Sequence, residues 1–164
     1  MTPSKPIEVF SDGSYDPKIN YGSWAALIIS DDKEQLRSDV VRNASQHKME
    51  LQAVINSLIH ISEEYGKSRR IDIFTDSEYV QNLLSRKQKL LASNFISKKG
   101  NPIKHAEEIK HFFSLEEQLR ITITKVASHQ KKGTSRITDL NRRVDKLARK
   151  LLKEQRNRLN GSVG

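Results

Sequence analysis

The chain has 164 residues, 35% of them hydrophobic and 30% charged, which fits one domain with a modest core beneath a heavily charged surface. It contains no cysteine, so disulfides, zinc–thiolate sites and thiol catalysis are excluded. The longest apolar run, Trp24 to Ile29, is six residues, against the roughly 20 that a membrane helix needs. Met1 to Ile7 carries no signal-peptide pattern, so the expectation is a soluble intracellular protein, cytoplasmic or nucleoid-associated.

The net charge of +9 favours polyanionic partners, and the charge comes in blocks. Arg86 to Lys104 holds six basic residues and no acidic one, and Arg142 to Arg158 holds eight against Asp145 and Glu154.

In chain order, Ile7 to Phe10 reads as a buried strand that breaks at Asp12-Gly13, with Tyr15 to Asn20 as a hairpin connection. Tyr21 to Ser30 is a strand with Trp24, Leu27 and Ile29 as core residues, and Glu34 to Val41 a third, which makes an antiparallel meander. Asn43 or Ser45 caps a long helix to about Tyr65, whose buried stripe is Leu51, Val54, Leu58, Ile61 and Tyr65, with Glu50 beside its first turn. Ile71 to Thr75 follows a helical crossover and is expected parallel to the first strand. Ser77 to Ser85 is a short helix, the basic stretch to Pro102 a projecting helix and loop, and Lys104 to Leu115 another helix. Arg120 to Val126 alternates as a fifth strand, and Ser128 to Thr138 is a polar loop. Asp139 caps a last helix with Val144, Leu147, Ala148, Leu151 and Leu152 on its apolar face. The expected architecture is α/β, a five-stranded mixed sheet of a three-strand meander plus two parallel strands, flanked by helices. Residues 1–6 form an extension, 7–154 the domain with 86–104 as a basic protrusion, and 155–164 a flexible tail.

Two strands thus lead into carboxylates, Asp12 and Asp76, and like charges side by side raise a pKa or call for a cation. Each acid also has a plainer reading. Asp12-Gly13 is a common turn dipeptide, Thr75 and Glu78 fit a capping box, Glu50 could be solvated, and Asp145 could pair with Arg149. None of these accounts for the set.

With Asp12 in Phe-Ser-Asp-Gly-Ser, Glu50 in Lys-Met-Glu-Leu-Gln-Ala, Asp76 in Thr-Asp-Ser-Glu-Tyr-Val and Asp145 in Asn-Arg-Arg-Val-Asp-Lys-Leu-Ala-Arg, the chain from Ile7 to Leu152 resembles type 1 ribonuclease H, in element order as well as in motifs. The resemblance implies a ribonuclease H-like fold and an endonuclease that hydrolyses the RNA strand of RNA/DNA hybrids, leaving 5'-phosphate and 3'-hydroxyl ends. It implies two Mg²⁺ ions, replaceable by Mn²⁺, with Asp12 bridging, Asp76 and Glu50 flanking and Asp145 toward the second ion. Oxygen-only ligands suit that hard metal. His129 stands where the family carries a histidine on a mobile loop that assists proton transfer near the leaving group or product release.

The departures from the family pattern concern substrate contacts. Ser45-Gln46-His47-Lys48 stands where members commonly have two asparagines, and Tyr15 to Asn20 replaces a glycine-rich connection. The loop from Ser128 to Thr138 is longer than in many cellular members and closer to retroelement domains. Gln46 and His47 are expected to bond 2'-hydroxyls or base edges, and Ser45 and Lys18 to form part of a phosphate pocket. Ser14 and Asn141, together with Arg86, Lys87, Lys89, Lys98 and Lys99 of the protrusion, complete the expected nucleic-acid contacts. A monomer without protein partners is expected. Two other readings stay open: a nuclease or strand-transferase on the same fold acting on DNA, and a nucleic-acid-binding module without catalysis.

Overall fold

The computed structural model describes residues 5–127 and 135–161. His129 lies outside the described residues. Five strands, β1 (Ile7–Asp16), β2 (Tyr21–Ser30), β3 (Lys33–Arg42), β4 (Arg70–Thr75) and β5 (Arg120–Lys125), form one sheet in the order β3-β2-β1-β4-β5. β1, β2 and β3 pair antiparallel, and β4 runs parallel to both β1 and β5. The helices are α1 (Gln46–Tyr65), α2 (Glu78–Ala92), α3 (Ala106–Gln118) and α4 (Arg136–Gly161). This is the expected mixed sheet flanked by helices.

Side chains alternate across a strand, and that parity decides which helix each strand residue meets. Ile7 and Val9 of β1 join Leu51, Val54 and Leu58 of α1 and Phe112 of α3 in one core cluster. Phe10, of the opposite parity, joins Phe74, Val144 and Ala148 in a second cluster beneath α4. Phe10 and Phe74 are register partners and stack at 4.9 Å. Two residues further on come Asp12, still within β1, and Asp76, the first residue past the end of β4, and both line one cleft.

Several elements differ from the sequence reading. β1 does not end at Asp12-Gly13. It continues to Asp16 against β2, with Asp12 opposite Ala25. Only the parallel pairing with β4 stops, at Ser11 opposite Thr75, so Asp12 lies just beyond the end of the parallel portion. Gly13 is needed for close approach: a Cβ there would stand 2.5 Å from the Glu50 amide nitrogen and 2.6 Å from the Met49 carbonyl carbon.

The cap of α2 is Ser77, whose Oγ accepts from the Val80 amide at 3.1 Å; Thr75 Oγ1 accepts instead from the Ser77 amide. Glu78 does not reach back but pairs with Lys125 at 2.6 Å, which holds its carboxyl below the usual range. α2 runs on through Arg86 to Ala92, so only the segment after it projects as loop, pinned by the Ile96–Pro102 bridge. α4 begins three residues before Asp139, where the Ser135 hydroxyl accepts from the Thr138 amide at 3.1 Å. It also passes Glu154 and continues to Gly161, because Arg156 is held by Asp16 at the end of β1, at 2.7 and 2.8 Å. No helix among the described residues is long and apolar enough to cross a membrane.

Candidate active site

Asp12 to Ser14 of β1, the residues just past β4, the first turns of α1 and α2, and the middle of α4 line a cleft of about 710 Å³. Asp12, Glu50, Asp76 and Asp145 all line it, together with Ser14, Gln46, His47 and Asn141. Four elements separated in sequence therefore each deliver one acid to a single cavity.

Of the four acids Asp12 is the most buried, 7% exposed. Its Oδ1 accepts from the Gly13 amide at 2.9 Å, and Asp76 and Asp145 act on its carboxyl from the same cleft. Burial, the adjacent Asp76 and Asp145 push the Asp12 carboxyl up to about 9. The cause is the joint effect of desolvation and like charge. An acid that resists ionisation because other acids face it is poised to gain from a cation.

Glu50 is held by two donors. Gln46 Nε2 lies 3.0 Å from Glu50 Oε1 and also donates to the Gly13 carbonyl at 2.7 Å, which ties the start of α1 to β1. The Ser77 hydroxyl, while capping α2, donates to the other Glu50 oxygen. Asp145 forms an ion pair with Arg149 at 3.1 Å. One turn before Asp145, Asn141 is 5% exposed and its Oδ1 has no partner among the described residues. A buried acceptor without a donor is costly, and here it borders the acid-lined cavity.

The expected set of metal ligands is therefore gathered but not closed. Among the described residues no group of three or more His, Cys, Asp or Glu side chains is arranged to hold a metal ion. Glu50 is committed to Gln46 and Ser77, and the remaining acids repel one another. The donor chemistry nevertheless fits a hard divalent cation: clustered carboxylates, of which Asp12 has its pKa raised by burial, Asp76 and Asp145, beside an orphaned amide oxygen.

The other expected contacts divide. At the cleft rim the His47 ring stacks on Tyr79 with centroids 4.1 Å apart. Ser45 caps α1 through the Lys48 amide and lies 3.0 Å from His105 Nε2. Lys18 stands on the β1–β2 turn, away from the cleft lining. Arg86 and Lys89 lie exposed on α2, and Lys98 and Lys99 on the loop after it. Lys87 points inward: it pairs with Glu116 at 3.0 Å and Glu117 at 2.9 Å, above the Phe113 ring, and these carboxylates raise its pKa. Sequence reading missed Ser77, Tyr79, Arg142, Lys146 and Arg149, all of which line the cleft. The three basic residues carried a signal, since they fall at helical spacing around Asp145.

Comparison with known proteins gives this chain a family. The RNase H family model matches residues 4–153. A ribonuclease H of Caldicellulosiruptor saccharolyticus is 28% identical over 156 residues, 93% of this chain and 99% of its own length. One from Ehrlichia chaffeensis is 29% identical over 147 residues, 87% of this chain and 92% of its own. In fold, the chain is similar to the solution structure of the PFV RNase H domain, with a TM-score of 0.68 and 22% identity, covering 92% of this chain and 95% of that one. The fold is that of a ribonuclease H-like domain, and the chain belongs to the ribonuclease H family.

Proposed function

We propose that this protein is an endonuclease that hydrolyses the RNA strand of RNA/DNA hybrids, largely without regard to sequence, giving 5'-phosphate and 3'-hydroxyl products. One observation carries the reading: Asp12, Glu50, Asp76 and Asp145 line the same cleft although they come from β1, α1, the end of β4 and α4. The family supports the substrate class.

In this reading the four carboxylates hold two Mg²⁺ ions, with Mn²⁺ as a substitute. When bound, such a pair activates water and neutralises charge on both oxygens of an in-line displacement at phosphorus. The chain's own residues do the rest. Gln46 and Ser77 orient Glu50. Ser14 and His47 border the cleft where a sugar edge would pass, and the 2'-hydroxyls are what distinguish the RNA strand. Asn141 Oδ1 is an acceptor suited to a hydroxyl or a metal-bound water. His129 moves a proton at the leaving oxygen or hastens product release. Arg86, Lys89, Lys98 and Lys99 meet phosphates beyond the cleft, and Ser45 and Lys18 hold the DNA strand. The protein works as an intracellular monomer.

The test is cleavage of an end-labelled hybrid, with duplex DNA and duplex RNA alongside, by the native chain and by Asp76→Asn. Cutting of the hybrid's RNA strand alone, dependent on added divalent metal and lost in the variant while binding survives, is expected. Preferential cutting of DNA would make this a DNA-acting member of the fold. Hybrid binding without cleavage in either metal would make it a binding module.

A further inference from the structure

α4 carries a second basic feature that the cleft does not account for. Arg142, Lys146, Arg149, Lys153 and Arg156 follow one another at intervals of four, three, four and three residues, so they form a single stripe along one side of the helix. Over those 14 residues at 1.5 Å each the stripe is about 21 Å long. It begins at the cleft, which Arg142, Lys146 and Arg149 line, and ends at the β1–β2 turn, where Asp16 holds Arg156 and Lys18 is exposed.

The charges on this stripe are oriented rather than cancelled. Arg149 and Arg156 are each fixed by one carboxylate, Asp145 and Asp16, while Arg142, Lys146 and Lys153 make no ion pair among the described residues. Off the stripe, Arg143 is matched by Glu34 of β3 at 3.1 Å and Arg136 by Glu8 at 2.7 Å. The end of α4 also has no core to pack on: past Leu152 no described residue is buried, and a polar helix end of that kind has little stability of its own in water. The Asp16–Arg156 pair keeps it running in line with the cleft.

From this geometry we infer that the α4 stripe is a phosphate-binding track that extends the nucleic-acid footprint from the cleft to the β1–β2 turn. The inference rests on the nuclease reading for the identity of the duplex. At one phosphate per about 3.4 Å of each strand, the stripe spans about six phosphates. Lysine and arginine contacts of this kind add affinity and salt dependence without reading sequence.

The experiment measures binding of a 20-base-pair RNA/DNA hybrid in EDTA across a salt series, for the full chain and for Lys146→Ala/Lys153→Ala. Each phosphate contact removed flattens the slope of log K against log salt by about 0.9, so the double variant is expected to be flatter by about 1.8. Lys33→Ala, at the far edge of the sheet, is the control and keeps the native slope. Unchanged melting temperatures confirm that the exposed substitutions leave the fold intact. A slope for the double variant within about 0.3 of the native one, given the per-contact increment above, overturns the track, as does an equal flattening by Lys33→Ala. The slopes decide this whether or not cleavage is seen, whereas a native chain that binds hybrid but never cuts it overturns only the nuclease reading.

Discussion

The carboxyl of Asp12 on β1 and that of Asp145 on α4 line the same cleft, and Asp145 is one of the groups that raise the Asp12 pKa. Burying a carboxyl beside other acids makes its ionisation costly, so without metal Asp12 resists losing its proton. Burial first, then Asp76 and Asp145, push the Asp12 carboxyl from 3.8 up to about 9. The sign of the linkage follows. A group whose pKa is higher folded than unfolded supports the fold fully below its unfolded pKa and loses that support as pH rises through the folded value. Metal-free protein is therefore expected to lose thermal stability between about pH 4 and pH 9 through this group. Asp12→Asn removes the penalty, and in EDTA at pH 8.5 it should melt about 5 °C or more above the native chain. Magnesium should raise the melting temperature of the native chain but not that of the variant. An Asp12→Asn protein that melts below the native one under those conditions would contradict this account.

Gly13 faces α1 where Asp12 faces α4, and the room for it is set by backbone. A methyl group there would meet the Glu50 amide nitrogen at 2.5 Å and the Met49 carbonyl carbon at 2.6 Å, and neither can swing aside as a flexible side chain could. Gly13→Ala is expected to cost about 1–3 kcal/mol of stability in urea denaturation, the usual range for overpacking. Because the contact is with the residue that carries a cleft carboxylate, activity at saturating metal should also fall. Gly22→Ala is the useful comparison. Its methyl would press on the Met49 side chain and the Ala44 methyl, which should cost stability and spare the activity per folded molecule.

Much of this site was legible in the sequence because strand parity is a two-residue rule. Once Phe10 and Phe74 are placed on one face of adjacent parallel strands, Asp12 and Asp76 must follow on that face. Helical spacing likewise put Glu50 beside the buried stripe of α1 and Asp145 beside Val144 and Ala148. What stayed hidden depends on contacts between elements. The persistence of α4 to Gly161 depends on Asp16, at the far end of β1. The inward turn of Lys87 depends on Glu116 and Glu117 of α3, which no local pattern around Arg86 to Lys89 discloses. Thr75 and Ser77 are both plausible caps by composition, and Ser77 prevails in a geometry where its hydroxyl also meets Glu50.

Gln46 bonds both the Gly13 carbonyl and Glu50 Oε1, so it positions an acid of the cleft through its amide. Gln46→Ala should leave the fold intact, since the side chain is exposed, but should release Glu50 to other rotamers. Loss of a group that orients a metal ligand typically weakens metal binding by about 10–100-fold. Titration of magnesium against the melting temperature and against hybrid cleavage should show the same displacement in both. Gln46→Glu, which puts a second charge beside Glu50 in place of the donated hydrogen bond, should be worse than the alanine variant. Equal metal dependence in all three proteins would remove Gln46 from the site.

Arg156 and Asp16 join the end of α4 to the end of β1, and Arg156 holds the Asp16 carboxyl below the usual range by hydrogen bonding. The support this gives is present above the ordinary carboxylate pKa and is lost as pH falls through the lowered one. Because no described residue beyond Leu152 is buried, this contact should govern local opening of the helix end rather than global unfolding. Asp16→Asn is expected to accelerate amide exchange from residue 153 to residue 161 while exchange in β1 and α1 stays at the native rate. Acidification of the native chain should reproduce the effect, after correction for intrinsic exchange, in the range where Asp16 protonates. Protection of that segment that is indifferent both to the substitution and to acid would mean that the helix end is held by something other than this pair.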